Sequence, residues 1–188
     1  MTAGPLNVAV IIGSTRAGRV CDTVGAWFAR RARRREDLNV EVLDLAAYDF
    51  PACYPQEPTP STRRFAATVG AADAFVVVTP EYNRSFPASL KEAIDLAYDE
   101  WHAKPVGIVA YGLGSYGHYA AEQLRTVFSA LHAMTMRDWV GIDLLDTELR
   151  EESRDTDDRL RAVAAMLDQL TWWGRTLRAG RHDQPYVS

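Results

Sequence analysis

The chain has 188 residues, 47% of them hydrophobic, and a formal net charge of -4. That length holds one compact domain with a full core, and the mildly acidic balance leaves no electrostatic footprint for a nucleic-acid partner. The apolar runs fall well short of the roughly 18 residues a membrane span needs, and no basic segment leads the first one, so no membrane partner and a soluble, cytoplasmic protein are expected.

Taken in order, Asn7 to Ile12 reads as a strand, closed by the loop Gly13-Ser14-Thr15-Arg16-Ala17-Gly18. A helix from about Arg19 to Arg34 follows, with Val20, Val24, Trp27 and Phe28 on one face. Its end carries the run Arg30 to Arg35, where cations suit the helix dipole and read first as a solvated face. Asn39 to Asp44 is a second strand, and a proline-rich loop from Leu45 to Pro60 leads to a helix over Ser61 to Ala71. Ala74-Phe75-Val76-Val77-Val78 is a third strand, apolar on both faces as in a parallel sheet, and Pro80 must end it. The next helix carries Leu90, Ala93, Ile94 and Ala97. Pro105 to Tyr111 is a fourth strand, His118 to Leu131 a helix, and a fifth strand lies within Met134 to Ile142. An acidic connection, Asp143 to Asp158, leads to a final helix over Arg159 to Arg178, on which Trp172 and Trp173 suit core or oligomer packing. Strands alternating with helices predict an α/β, doubly wound, five-stranded parallel sheet with helices on both faces.

Three loops at strand ends carry the chemistry. In the first, Gly13 and Gly18 allow a tight turn, Ser14 and Thr15 add hydroxyls, and Arg16 can fork onto a phosphate beside the helix N-terminus. The Gly-Lys-Ser/Thr ending of a Walker loop is absent, and a simple helix start would also use these residues; the place after the first strand favours phosphate. The second, Pro80-Glu81-Tyr82-Asn83-Arg84, sets an aromatic ring and an amide where open α/β sheets bind ligands. A flat ligand with polar edges fits it better than a turn alone. The third, Gly112-Leu113-Gly114-Ser115-Tyr116-Gly117, matches the dinucleotide fingerprint with Asp138 about 20 residues on. It follows the fourth strand, however, and too little chain remains for that fold, so it reads as a glycine-rich wall against a ligand held by the other loops. Cys21 and Cys53 have no metal or CxxC spacing and fit a reducing compartment. Cys21 reads as a small buried residue, His118 as a surface or capping residue, and Asp22 as a dipole partner set awkwardly close to a phosphate.

Gly13 to Arg19 together with Thr79 to Asp95 closely resembles the NADPH-dependent FMN reductase family of flavin, quinone, azo-dye and chromate reductases. The resemblance covers nearly the whole chain and implies one flavodoxin-like domain over residues 1–188. It implies that Ser14, Thr15, Arg16, Gly18 and Arg19 hold the FMN phosphate, that Pro80, Glu81, Tyr82 and Asn83 cradle the flavin ring, and that Gly112, Ser115, Tyr116 and Gly117 close its other side. Departures are Arg19 where many members have serine, Arg84 where glycine is common, and Tyr116 and His118 where consecutive glycines are favoured. The expected function is an FMN-dependent NAD(P)H oxidoreductase passing hydride to FMN and on, in a ping-pong cycle, to a small-molecule acceptor: free flavin, a quinone, an azo dye or a metal oxyanion. No side-chain nucleophile or metal is required, and Arg84 is the candidate NAD(P)H contact. Alternatives are a reductase supplying reduced FMN to a partner monooxygenase and a flavodoxin-type electron carrier. A homodimer or homotetramer is expected.

Overall fold

A computed structural model describes residues 4–51, 53–144 and 157–187. The strands are β1 (Leu6–Ile12), β2 (Leu38–Asp44), β3 (Ala74–Pro80), β4 (Pro105–Gly112), β5 (Met134–Thr135) and β6 (Val140–Asp143). The helices are α1 (Cys21–Ala32), α2 (Pro60–Ala71), α3 (Ala88–Asp95), α4 (His118–Ala130) and α5 (Asp157–Asp183). All strand pairings are parallel, in the order β2-β1-β3-β4-β5, with β6 also on β4. β3 and β4 are buried along their whole length, which is why they are apolar without alternation. β2, at the edge, is buried only at Leu38 and Leu43.

Helices cover both faces. On one, Val24, Trp27 and Phe28 of α1 join Val163, Met166 and Leu170 of α5 over Val8, Val10 and Val76. On the other, Phe65 and Val69 of α2, Leu90 and Ile94 of α3, and Leu124 and Phe128 of α4 pack on Phe75 and Val77 around Trp101. Gly25 lets α1 lie directly on β1, because a Cβ there would come within 2.0 Å of Ile12 Cδ1. Among the described residues no helix is long and apolar enough to cross a membrane.

Three expectations need correction. α1 starts at Cys21 rather than Arg19, leaving Arg19 in the loop. α5 runs to Asp183, past Arg178. The fifth strand is split: Arg125 of α4 donates to the Met136 and Arg137 carbonyls, and the Asp138 amide donates to the Gln169 side chain at 3.2 Å. Side chains thus satisfy the backbone that a continuous ladder would have used. Most of the acidic connection lies outside the described residues.

At the opposite end of β4, Lys104 is buried and its ammonium caps α2, donating to the Val69 and Gly70 carbonyls at 3.0 and 2.9 Å. Burial, then neighbouring Arg181, pull its pKa from the ordinary 10.5 to about 8, with Asp73 and Glu100 opposing. Between those values the unfolded chain binds a proton that the folded chain does not. The Lys104 contribution to stability therefore rises with pH through that window, by at most about 1.4 kcal/mol per pH unit, and its cost is fully present below it. Urea unfolding across this range should show that rise in the native protein and lose it in Lys104→Met.

Candidate active site

Parallel pairing brings the loops after β1, β3 and β4 to one edge, and the strand order reverses direction at β1 and β3. That crevice is where open α/β sheets bind ligands. A cavity of about 460 Å³ opens there, bounded by Arg16 to Val20, Pro80 to Tyr82, Tyr111 to Leu113, Ser115 and Leu144. Its size suits a small molecule or cofactor.

The first loop leaves β1 with Gly13 against β3; a Cβ there would lie 2.9 Å from the Val78 carbonyl. Ser14 is wholly buried, and its hydroxyl lies 3.2 Å from the Tyr82 hydroxyl, beneath the cavity rather than lining it. Arg19 forks onto Asp44 at 2.8 and 2.5 Å and donates to the Ser14 carbonyl at 2.5 Å. The Asp44 hydrogen bonds hold its pKa above the ordinary range. Arg19 therefore borders the cavity with its charge engaged, tying the loop to the end of β2. Arg16 is exposed, with its guanidinium 5.9 Å from the Tyr82 ring centre. Val20 has no side-chain oxygen to cap α1, so this helix start has no side-chain cap and faces the cavity. Asp22 accepts from the Thr23 amide at 2.9 Å, so one of its oxygens is engaged within its own helix turn. Thr15 is exposed and outside the cavity lining.

The second loop is a tight turn in which Tyr82 and Ser85 exchange both backbone hydrogen bonds, 2.7 and 3.0 Å. Asn83 and Arg84 form its tip with φ of 51° and 63°, outside the cavity lining. Gln123 of α4 grips it, donating to the Arg84 carbonyl at 2.8 Å and accepting from the Ser85 hydroxyl at 2.6 Å. The Arg84 guanidinium lies 4.6 Å from the Tyr119 ring centre. Glu81 lines the cavity, while its carboxylate accepts from the Tyr119 amide at 3.0 Å. It thereby caps α4, whose own N-cap is Gly117. Glu81→Ala should lower stability by about 1 kcal/mol through loss of that cap, measured by chemical unfolding.

In the third loop Gly112 and Ser115 line the cavity, whereas Tyr116 and Gly117 do not. A Cβ on Gly112 would meet the Ser115 hydroxyl at 2.6 Å and Glu81 Cβ at 3.3 Å, so this wall is close-packed backbone. Asp143 Oδ1 accepts from the Gly114 amide at 3.1 Å, and the Leu144 amide donates to Gly112 at 2.9 Å. Sequence reasoning missed Tyr111, whose register partner is Pro80. The signal was there: an aromatic residue ends β4 beside the proline that ends β3. Burial, then Cys21 beside it, push the Tyr111 hydroxyl pKa upward. Burial likewise raises the Cys21 thiol, which donates to the Val78 carbonyl at 3.2 Å. Tyr111 and Cys21 are therefore neutral and protonated, with a helix start and exposed Arg16 bordering the cavity. The donor set suits a phosphate there and a flat ring between Tyr82 and the glycine wall, which is the outline of FMN.

A family model for NADPH-dependent FMN reductase matches residues 6–145. An NAD(P)H-dependent FMN reductase of Schizosaccharomyces pombe is 37% identical over 132 residues, and the chain spans 64% of that relative's length and matches it over 64% of its own. A quinone reductase of Pseudomonas putida is 31% identical over 186 residues, covering 92% of this chain and 97% of the relative. The flavoenzyme NAD(P)H:(acceptor) oxidoreductase of Paracoccus denitrificans is 22% identical and shares the fold, with a TM-score of 0.71 over 91% of this chain and 98% of that one.

Proposed function

The chain belongs to the NADPH-dependent FMN reductase family, and from that premise we propose that it binds FMN in the three-loop cavity and uses NAD(P)H to reduce a small-molecule acceptor. The observation that carries this reading is the cavity shared by the loops after β1, β3 and β4, where an uncapped helix start and exposed Arg16 meet Tyr82 and Gly112. FMN, when bound, supplies hydride acceptance from NAD(P)H and onward two-electron transfer, in ping-pong order, to free flavin, a quinone, an azo dye or a metal oxyanion.

The protein's own residues bind and orient. Arg16 and the first-turn amides of α1 take the phosphate, with Gly18 giving the backbone its turn. The Arg19–Asp44 fork keeps that loop in place, and the buried Ser14–Tyr82 pair sets the Tyr82 ring. Tyr111 stays protonated on the floor. Arg84, at the exposed tip of the second loop, takes a phosphate of NAD(P)H. Arg84→Ala should raise the KM for NADPH by about tenfold, in proportion to a lost charge-assisted hydrogen bond; unchanged KM and kcat would remove that role.

The deciding experiment is purification followed by assay of NADPH and NADH oxidation with FMN, a quinone and an azo dye. A yellow protein that turns over is expected; a colourless one that neither binds nor reduces FMN overturns the reading. We also read it as cytoplasmic and as a homodimer or homotetramer, the latter supported by Trp172, 61% exposed on α5. Sedimentation showing monomer alone would remove the assembly.

A further inference from the structure

A second cavity, of about 650 Å³, opens at the other end of the sheet, lined by His102, Lys104 and Arg181 with Asp99, Glu100 and Tyr186 at its walls. Lys104 directly precedes β4 and Gly112 ends it, so the two cavities lie roughly 26 Å apart along that strand at 3.3 Å per residue.

Its lining sets Lys104 and Arg181 against Asp99 and Glu100, yet Lys104 makes no direct ion pair among the described residues. Lys104 is buried, and its two hydrogen-bond partners are neutral carbonyls. Arg181 and Arg178 share one carboxylate, Asp73, at 3.7 and 3.1 Å. Glu100 faces Lys104, but one of its oxygens accepts from the Tyr98 amide at 3.0 Å. His102 is more than nine-tenths buried, and its Nε2 has no partner; its Nδ1 is 3.8 Å from Asp99. A buried cation whose direct partners are all neutral and a buried ring nitrogen without a partner are both costly. One ligand chemistry relieves both.

We propose that this cavity is a second ligand site, holding a small oxyanion of the carboxylate or phosphate class against Lys104, Arg181 and His102. The ammonium and guanidinium supply charge, and the imidazole supplies a donor. Burial between Arg181 and the end of α2 depresses the Lys104 pKa in the unliganded protein, which a bound anion would reverse. The C-terminal segment closes one side, where the Tyr186 hydroxyl lies 2.8 Å from His132 Nδ1.

The test uses FMN-loaded protein, so that added phosphate does not enter the first loop. The His102 imidazole resonances are followed by NMR during titration with inorganic phosphate and, separately, with malonate. A saturable shift at millimolar anion or below is expected in at least one arm, and the tighter arm names the source. Lys104→Met and Arg181→Gln, neither of which touches the flavin cavity, should each weaken binding by roughly tenfold or more. If Lys104→Met does not fold, Arg181→Gln decides. No saturable shift with either anion, or unchanged affinity in the variants, overturns the proposal. Because the readout is His102 and not turnover, failure of the flavin reading would register separately, as colourless protein.

Discussion

Gly117→Ala should lose about 2–5 kcal/mol of stability and fail to retain FMN. Gly117 has φ of +81°, and a Cβ there would lie 2.5 Å from the Tyr111 nitrogen and 2.6 Å from the Ala110 carbonyl carbon. Those are backbone atoms of the central strand β4, so no side-chain rotation can relieve the overlap. The left-handed conformation costs about 1–2 kcal/mol for an L-residue, and forced overpacking adds about 1–3 kcal/mol. The strain falls on the start of α4 and on Tyr111 and Gly112, of which the latter two line the cavity. Gly18→Ala is the control: its φ is +67°, but nothing lies within 4 Å of a new Cβ. It should lose only the conformational part, about 1–2 kcal/mol. Urea unfolding of both variants with flavin release on ultrafiltration separates the two costs, and Gly117→Ala as stable as Gly18→Ala would refute the argument.

Arg16→Ala should weaken FMN binding by about 10- to 100-fold, the cost of a charge-assisted hydrogen bond at 1.5–3 kcal/mol. Stability of the flavin-free protein should hardly change, because Arg16 is exposed and, among the described residues, its guanidinium meets only the Tyr82 ring, at 5.9 Å. Arg19→Ala is expected to behave differently. It strips Asp44 of its fork and the Ser14 carbonyl of a donor, so the loop loosens and folding stability falls together with affinity. Flavin fluorescence titration beside thermal unfolding distinguishes them. Equal stability losses in the two variants would mean that the phosphate end has been misassigned between these arginines.

The strands could be read from sequence because burial on both faces demands apolar runs: Phe75 to Val78 and Val106 to Ala110 leave no polar position for solvent. The fifth strand could not. Its break depends on Arg125 and Gln169, which approach the Met136–Asp138 backbone from α4 and α5, elements distant along the chain. The dinucleotide-like glycine spacing shows the same limit. Gly117 answers to β4 backbone and Gly112 to Ser115 and Glu81, while Asp138 bonds Gln169 in the gap between β5 and β6.

By itself, the sequence determined the layered α/β architecture, the end of the sheet where the three loops meet, and the family. These follow from local periodicity, strand-ending residues and contiguous motifs. Only the tertiary structure decided which motif residues face the cavity. Ser14 is drawn under Tyr82, Arg19 is claimed by Asp44, the Glu81 carboxylate caps α4, and Asn83 and Arg84 are carried outward on a turn. Lys104, Arg181 and His102 meet at the far end for the same reason. A polar side chain's role depends on which partner the fold delivers to it, and that partner is set by packing across the sheet rather than by neighbours in sequence.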